Sequence, residues 1–201
     1  MSRDGSGARS DPASLSPDGL VVPASLPPPR RPAGPYRICL VCLGNICRSP
    51  MAEVILRDEL DRAGLADRVV ADSAGTGDWH IGQPMDRRAA RELARHGLDG
   101  SRHRARQFVP SWFSLYDLIV GMDSANLNDL RAMAPGADAA SRVVLLRAFD
   151  PALAGSREPG DLEVPDPYYT RDDYAPVYDL IRPAARGLAG RLAALLDGAR
   201  R

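Results

Sequence analysis

Val41-Cys42-Leu43-Gly44-Asn45-Ile46-Cys47-Arg48-Ser49-Pro50 is the stretch on which the reading of this chain turns. The apolar run Ile38 to Val41 leads into it and predicts a short buried strand. A helix start follows: Ser49 is a capping residue, and Pro50 suits a first turn, where its missing N–H has no partner to lose. Between strand and helix lie a cysteine, a Gly-Asn pair and an arginine. Gly44 and Asn45 both tolerate the positive φ that a tightly curled loop needs. In such a loop the backbone N–H groups of Leu43, Gly44, Asn45, Ile46, Cys47, Arg48 and Ser49 point inward, at the positive end of a helix dipole, and form a cradle of phosphate size. Arg48 closes it with a planar fork that matches two phosphate oxygens. Cys42 sits at the floor, where a helix N-terminus and a nearby cation favour the nucleophilic thiolate. A hydroxyl at Ser49 can hydrogen-bond that sulfur and help it leave in a second step. A buried core thiol at Cys42 would leave Gly44, Asn45, Arg48, Ser49 and Pro50 without explanation.

At these ten residues, followed by Met51-Ala52-Glu53, the chain resembles the low-molecular-weight protein tyrosine phosphatases of bacterial type. Cys-x5-Arg alone would be weak; the whole decapeptide near the start of a domain is specific. The resemblance covers about residues 36–199. It implies a four-stranded parallel sheet, a cysteinyl-phosphate mechanism, no cofactor, and phosphotyrosine-containing proteins as substrates.

Composition agrees with a globular domain. The 201 residues are 44% hydrophobic, enough for one core, and 26 basic residues balance 26 acidic ones. That balance offers no electrostatic case for nucleic acid or a membrane surface as partner. All the basic residues are arginine, a bias that points to a high-GC genome. No apolar run approaches the ~20 residues of a membrane span. The three cysteines, Cys39, Cys42 and Cys47, are odd in number and clustered, which is not a secreted disulfide framework. Cys39-x2-Cys42 has no second Cys/His pair to complete a zinc site, and Cys39 reads as strand core. The expectation is a cytoplasmic monomer without metal.

Residues 1–35 hold eight of the 18 prolines and show no periodicity, so they read as a disordered Pro-rich tail ahead of a domain over 36–201. A misplaced translation start and a proline-mediated partner contact are alternatives. Within the domain, strands are expected at 36–41, 69–72, 116–120 and 143–146. Helices are expected at 50–63, 86–96 and 124–133, with a last one opening at Asp172 or Asp173 and reaching about Leu196, bent at Pro183. The alternation predicts a single α/β domain: a four-stranded parallel sheet with helices on both faces and the phosphate-binding loop after the first strand. Ligands bind such sheets beyond the carboxyl ends of the strands, where the Cys42 loop lies.

Expelling a phenolate is faster with a proton donor, worth roughly 10²–10⁴-fold. Asp166, in Val164-Pro165-Asp166-Pro167-Tyr168-Tyr169, is held between prolines that restrict the backbone. Alone it would be an ordinary Asp-Pro turn; the resemblance makes it the general acid and base, in place before the last helix. Tyr168 and Tyr169 can line the mouth of a pocket for an aromatic ring, and their position makes them candidate targets of a tyrosine kinase. The resemblance further implies that Ser73 and His96 support the loop around Asn45, that Asp123 orients Arg48, and that Trp79 walls the substrate cleft above a floor of Leu43 and Ile46. From the residues alone, His96 could equally be a helix C-terminal histidine, Asp123 a helix cap and Trp79 a core residue. Cys47 could trap an oxidised Cys42 as a disulfide. Three other functions share parts of the pattern. An arsenate reductase has the same fold and loop but uses downstream cysteines, and none follows Cys47. A non-catalytic phosphotyrosine-binding module would not need Cys42, Arg48 and Asp166 intact. A phosphocysteine relay would not call for Arg48 with Asp166.

Overall fold

The computed structural model describes residues 25–31, 33–156, 158–168 and 173–198. The expectations for residues 1–24, for Tyr169 and for Asp172 lie outside these. Four parallel strands, β1 (Tyr36–Cys42), β2 (Val69–Gly75), β3 (Leu118–Gly121) and β4 (Val143–Leu145), form one sheet in the order β2-β1-β3-β4. The helices are α1 (Arg48–Arg62), α2 (Arg87–Arg95), α3 (Ser124–Met133), α4 (Ala137–Ser141) and α5 (Ala175–Gly198).

β1 is central and buried on both faces, because its side chains alternate between two cores. Ile38, Leu40 and Cys42 join Met51, Ile55, Leu56, Ile181 and Leu188 under α1 and α5. Cys39 and Val41 join Phe108, Phe113, Ile119, Leu127 and Leu130 on the other side. The expectation that Cys39 is core is met, and burial pushes its thiol pKa up. β1 and α1 leave room for only five residues between them, so the loop must turn sharply where the strand ends.

Several boundaries differ from expectation. β2 continues through Ser73 and Ala74 to Gly75, because these pair in parallel with Leu40, Val41 and Cys42 of β1 where polarity suggested a loop. β3 begins at Leu118, where its pairing with Ile38 of β1 starts; Tyr116 and Asp117 lie in the connection before it. α1 begins at Arg48 with Cys47 as its N-cap; Ser49 is already inside the helix, and its hydroxyl is used elsewhere. Pro183 lies inside α5, which continues through it to Gly198. β4 ends at Leu145, and Leu146, expected in that strand, opens a 3₁₀ turn to Phe149; α4 and further 3₁₀ turns at Pro151–Leu153 and Pro159–Leu162 occupy what read as loop.

The packed unit also starts earlier than residue 36. Leu26 is buried in the main core. The Tyr36 hydroxyl donates to Pro27 O at 3.0 Å, and Arg142 donates to Pro28 O at 3.1 Å. Buried Asp117 accepts from the backbone N–H groups of Arg30 (2.5 Å) and Arg37 (2.7 Å). Thus 25–31 straps the end of the sheet remote from the Cys42 loop. Proline-rich composition hides this, because backbone carbonyls, one leucine and Arg30 make the contacts.

Candidate active site

The loop after β1 is curled by Asn45, whose φ of +54° is the positive value among the described non-glycine residues. Three hydrogen bonds to a fully buried side chain hold that conformation. Asn45 Nδ2 donates to Ser49 Oγ and to Ser73 Oγ, each at 2.9 Å, and Oδ1 accepts from the Arg106 N–H at 2.8 Å. Ser73 in turn donates to Glu53 Oε2 at 2.5 Å. The loop carbonyls are taken from outside. Cys42 O accepts from Thr76 N and Leu43 O from Gly77 N, both at 2.9 Å; Asn45 O accepts from His103 Nε2 at 2.7 Å and Ile46 O from Asp86 N at 2.8 Å. Among the described residues no acceptor takes the amides of Gly44, Asn45, Ile46 or Cys47. Gly75 lets the loop lie directly on β2: a Cβ there would come within 2.6 Å of Leu43 O and 3.0 Å of Asn45 N.

Cys42 is 3% exposed, and its Sγ lies 3.0 Å from Ser49 Oγ. That hydroxyl also lies 3.1 Å from Ala74 O, so its single proton chooses between carbonyl and sulfur. Arg48 is buried beside them. Its Nη1 donates to Asp123 Oδ2 (2.5 Å) and Val164 O (3.0 Å), and its Nη2 to Asp166 Oδ2 (2.6 Å). Burial alone would lower the Arg48 pKa, but Cys42, Asp123 and Asp166 around it hold it above the ordinary value. Asp123 fills both roles open from sequence, since its other oxygen caps α3 through Asn126 N at 2.7 Å. Asp166 is steadied by Tyr168 N, 3.1 Å from Oδ1.

These groups surround one cavity of about 230 Å³, lined by Cys42, Leu43, Gly44, Ile46, Cys47, Arg48, Trp79, His80, Asp166 and Tyr168. A cavity of about 150 Å³ holds a benzene ring, so this one has room for an aryl ring with a tetrahedral anion. Trp79 is 63% exposed and so is wall rather than core. Cys47 Sγ meets Tyr174 Oη at 3.2 Å, and burial pushes its thiol pKa up to about 12.

His96 is not part of the loop's support. Its Nε2 meets Glu92 Oε1 at 3.1 Å, and its ring stacks on Tyr178 with centroids 3.6 Å apart. The histidine at Asn45 is His103, whose pKa burial holds below its ordinary value despite its hydrogen bond to Asn45 O. His103, Arg106 and Glu53 were missed. Arg106 serves through its backbone N–H, which any residue carries, and His103 sits in the polar run Ser101-Arg102-His103-Arg104, which reads as solvated loop. His80 and Tyr174 were missed as well, although His80 directly follows the singled-out Trp79.

A parallel α/β sheet that ends in a cysteine–arginine anion loop, with a carboxylate against the arginine, defines a cysteine-dependent phosphate-monoester site. A family model for low molecular weight phosphotyrosine protein phosphatase matches residues 37–197, and the chain belongs to that family. It is 49% identical over 164 residues to the low molecular weight protein-tyrosine-phosphatase of Streptomyces coelicolor, covering 81% of this chain and 97% of that one. The crystal structure of YfkJ from Bacillus subtilis superposes with a TM-score of 0.72 at 36% identity, over 84% of this chain and 99% of that one. Wzb of Vibrio vulnificus in complex with benzylphosphonate matches with a TM-score of 0.63 at 31% identity, over 78% and 99%. The chain is accordingly a protein tyrosine phosphatase, a phosphoric monoester hydrolase.

Proposed function

We propose that Cys42, Arg48 and Asp166 hydrolyse phosphotyrosine through a cysteinyl-phosphate. The observation that carries this is the convergence of Cys42, Arg48 and Asp166 on one cavity of aryl-phosphate size. The amides of residues 43–48 and the Arg48 guanidinium bind the phosphate oxygens. Incoming phosphate competes with Asp166 for Nη2 of Arg48 and leaves the carboxyl beside the ester oxygen. Cys42 Sγ attacks phosphorus in line; the P–O bond breaks, and protonated Asp166 gives its proton to the departing phenol oxygen. Asp166, now a carboxylate, takes a proton from water as that water attacks phosphorus and expels Cys42. Ser49 stabilises the leaving sulfur by turning its proton from Ala74 O to Sγ. Asp123 and Val164 O fix the guanidinium plane. Leu43, Ile46, Trp79 and Tyr168 hold the ring, a reading to which the benzylphosphonate bound by Wzb lends support.

The test compares p-nitrophenyl phosphate with phosphotyrosine, in chelator and without thiol reductant, for wild type, Cys42→Ser and Asp166→Asn. Wild type turns over both. Cys42→Ser is inactive. Asp166→Asn loses about 10²–10⁴-fold on phosphotyrosine and less on the better leaving group. An inert wild type, or an active Cys42→Ser, refutes the mechanism. Turnover without reductant separates it from arsenate reduction, and turnover at all separates it from a binding module. Phosphotyrosine-bearing proteins are the substrate class of the family; the same reading takes the chain as a cytoplasmic monomer opposed by a tyrosine kinase, which cell fractionation, sedimentation and a kinase co-expression assay examine.

A further inference from the structure

Trp79 separates two clefts. One is the phosphate cavity; the other, about 400 Å³, lies against α3 and is lined by Leu43, Thr76, Gly77, Asp129, Ala132 and Met133. Leu43 and Trp79 belong to both, so the second cleft is continuous with the mouth of the first. The partition is set by Gly77: a Cβ there would fall 1.1 Å from Trp79 Cζ3, so the indole lies across the bare glycine. Asp129 is exposed, lines this groove, is its one charged lining residue, and forms no ion pair among the described residues.

We propose that this groove receives a basic residue flanking the phosphotyrosine of the substrate protein. The proposal rests on the phosphatase reading above and adds a substrate preference to it. The aliphatic stem of an arginine or lysine lies over Leu43 and Met133, and its charged head remains hydrated beside Asp129. Neighbouring Cα atoms are about 3.8 Å apart, so a long side chain one or two positions from the phosphotyrosine spans the width of the indole. A flanking glutamate meets an unpaired carboxylate instead.

Phosphotyrosine peptides that differ only by Arg, Ala or Glu at each of the two positions on either side test this, with kcat/KM measured for wild type, Asp129→Asn and Asp129→Arg. At one of these positions wild type prefers Arg over Glu by about fivefold, the scale of an exposed ion pair gained against a repulsion, and the preference shrinks with added salt. Asp129→Asn brings the ratio below about twofold, and Asp129→Arg inverts it. A wild type that does not discriminate, or variants that keep its order, overturn the groove while leaving the chemistry standing. p-Nitrophenyl phosphate, too small to cross the indole, reports the chemistry separately: a wild type inert on it and on every peptide refutes the phosphatase reading and the groove together.

Discussion

Replacing Asn45 separates the two things that residue does for the phosphate loop. Its side chain makes three hydrogen bonds inside a fully buried site, and its backbone sits at φ +54°. Each bond contributes about 1 kcal/mol net, and Asn45→Gly, which keeps the backbone freedom, should destabilise by roughly 3 kcal/mol on that scale. Asn45→Ala loses the same bonds and adds a left-handed residue with a Cβ, about 1–2 kcal/mol. The larger unfolded-state entropy of glycine offsets part of that difference, about 0.5–1 kcal/mol. Alanine should therefore be worse than glycine by roughly 1 kcal/mol. Against a typical total of about 5–15 kcal/mol, both variants fold but are visibly weakened. Urea unfolding by linear extrapolation gives the two stabilities, and competitive inhibition by inorganic phosphate reports whether the cradle keeps its shape. Both variants should bind phosphate more weakly, because Ser49, Ser73 and the Arg106 N–H lose the partner that curls the loop. A loss under about 1 kcal/mol in either variant, or glycine no better than alanine, would refute this account of the loop.

Asp117→Asn should lower stability by about 1–3 kcal/mol, since an amide cannot accept from both Arg30 N–H and Arg37 N–H without facing one with its own N–H; thermal melts that match wild type would dismiss the strap. For His103 the folded state resists a proton that the unfolded chain accepts near its ordinary pKa of about 6.5. Its stabilising effect is complete above that pH and is lost as pH falls through the depressed folded value, so His103→Gln should flatten the decline in stability below about pH 6.5; parallel slopes for the two proteins would count against it. Peroxide inactivation should be reversed by thiols in wild type but not in Cys47→Ser. Cys47, pushed up to about 12, stays a thiol at neutral pH and leaves first oxidation to Cys42; equal recovery in both removes Cys47 from the scheme. Gly77→Ala should displace the Trp79 indole, raising KM for phosphopeptides more than it lowers kcat; unchanged tryptophan fluorescence would show the ring had not moved.

The central elements were legible because each rests on local chemistry. The apolar run of β1, the Gly44-Asn45 pair, and a cysteine and arginine on one short loop lie within or just ahead of a single decapeptide. Asp166 was singled out by the resemblance, since Pro165-Asp166-Pro167 alone reads as an ordinary turn; the structure sets its carboxylate 2.6 Å from Arg48 Nη2. His96 shows where such reading fails. The resemblance pointed to it as a support for the loop, but it is the helix C-terminal histidine that the residues alone allowed equally: it meets Glu92 one turn earlier on α2 and stacks on Tyr178 of α5, and His103 takes the place beside Asn45.

By itself the amino-acid order determined the class of sheet, the curl of the loop after β1 and the cysteine and arginine that loop carries, because apolar runs, φ preferences and helix-start chemistry act over a few residues. Only the tertiary structure decided what surrounds that loop. It brought Asp123 and Asp166 onto one guanidinium from 75 and 118 residues away, set Trp79 across Gly77, and folded 25–31 onto Asp117. Those contacts depend on how helices seat on the two faces of the sheet, which close packing of side chains distant in sequence dictates.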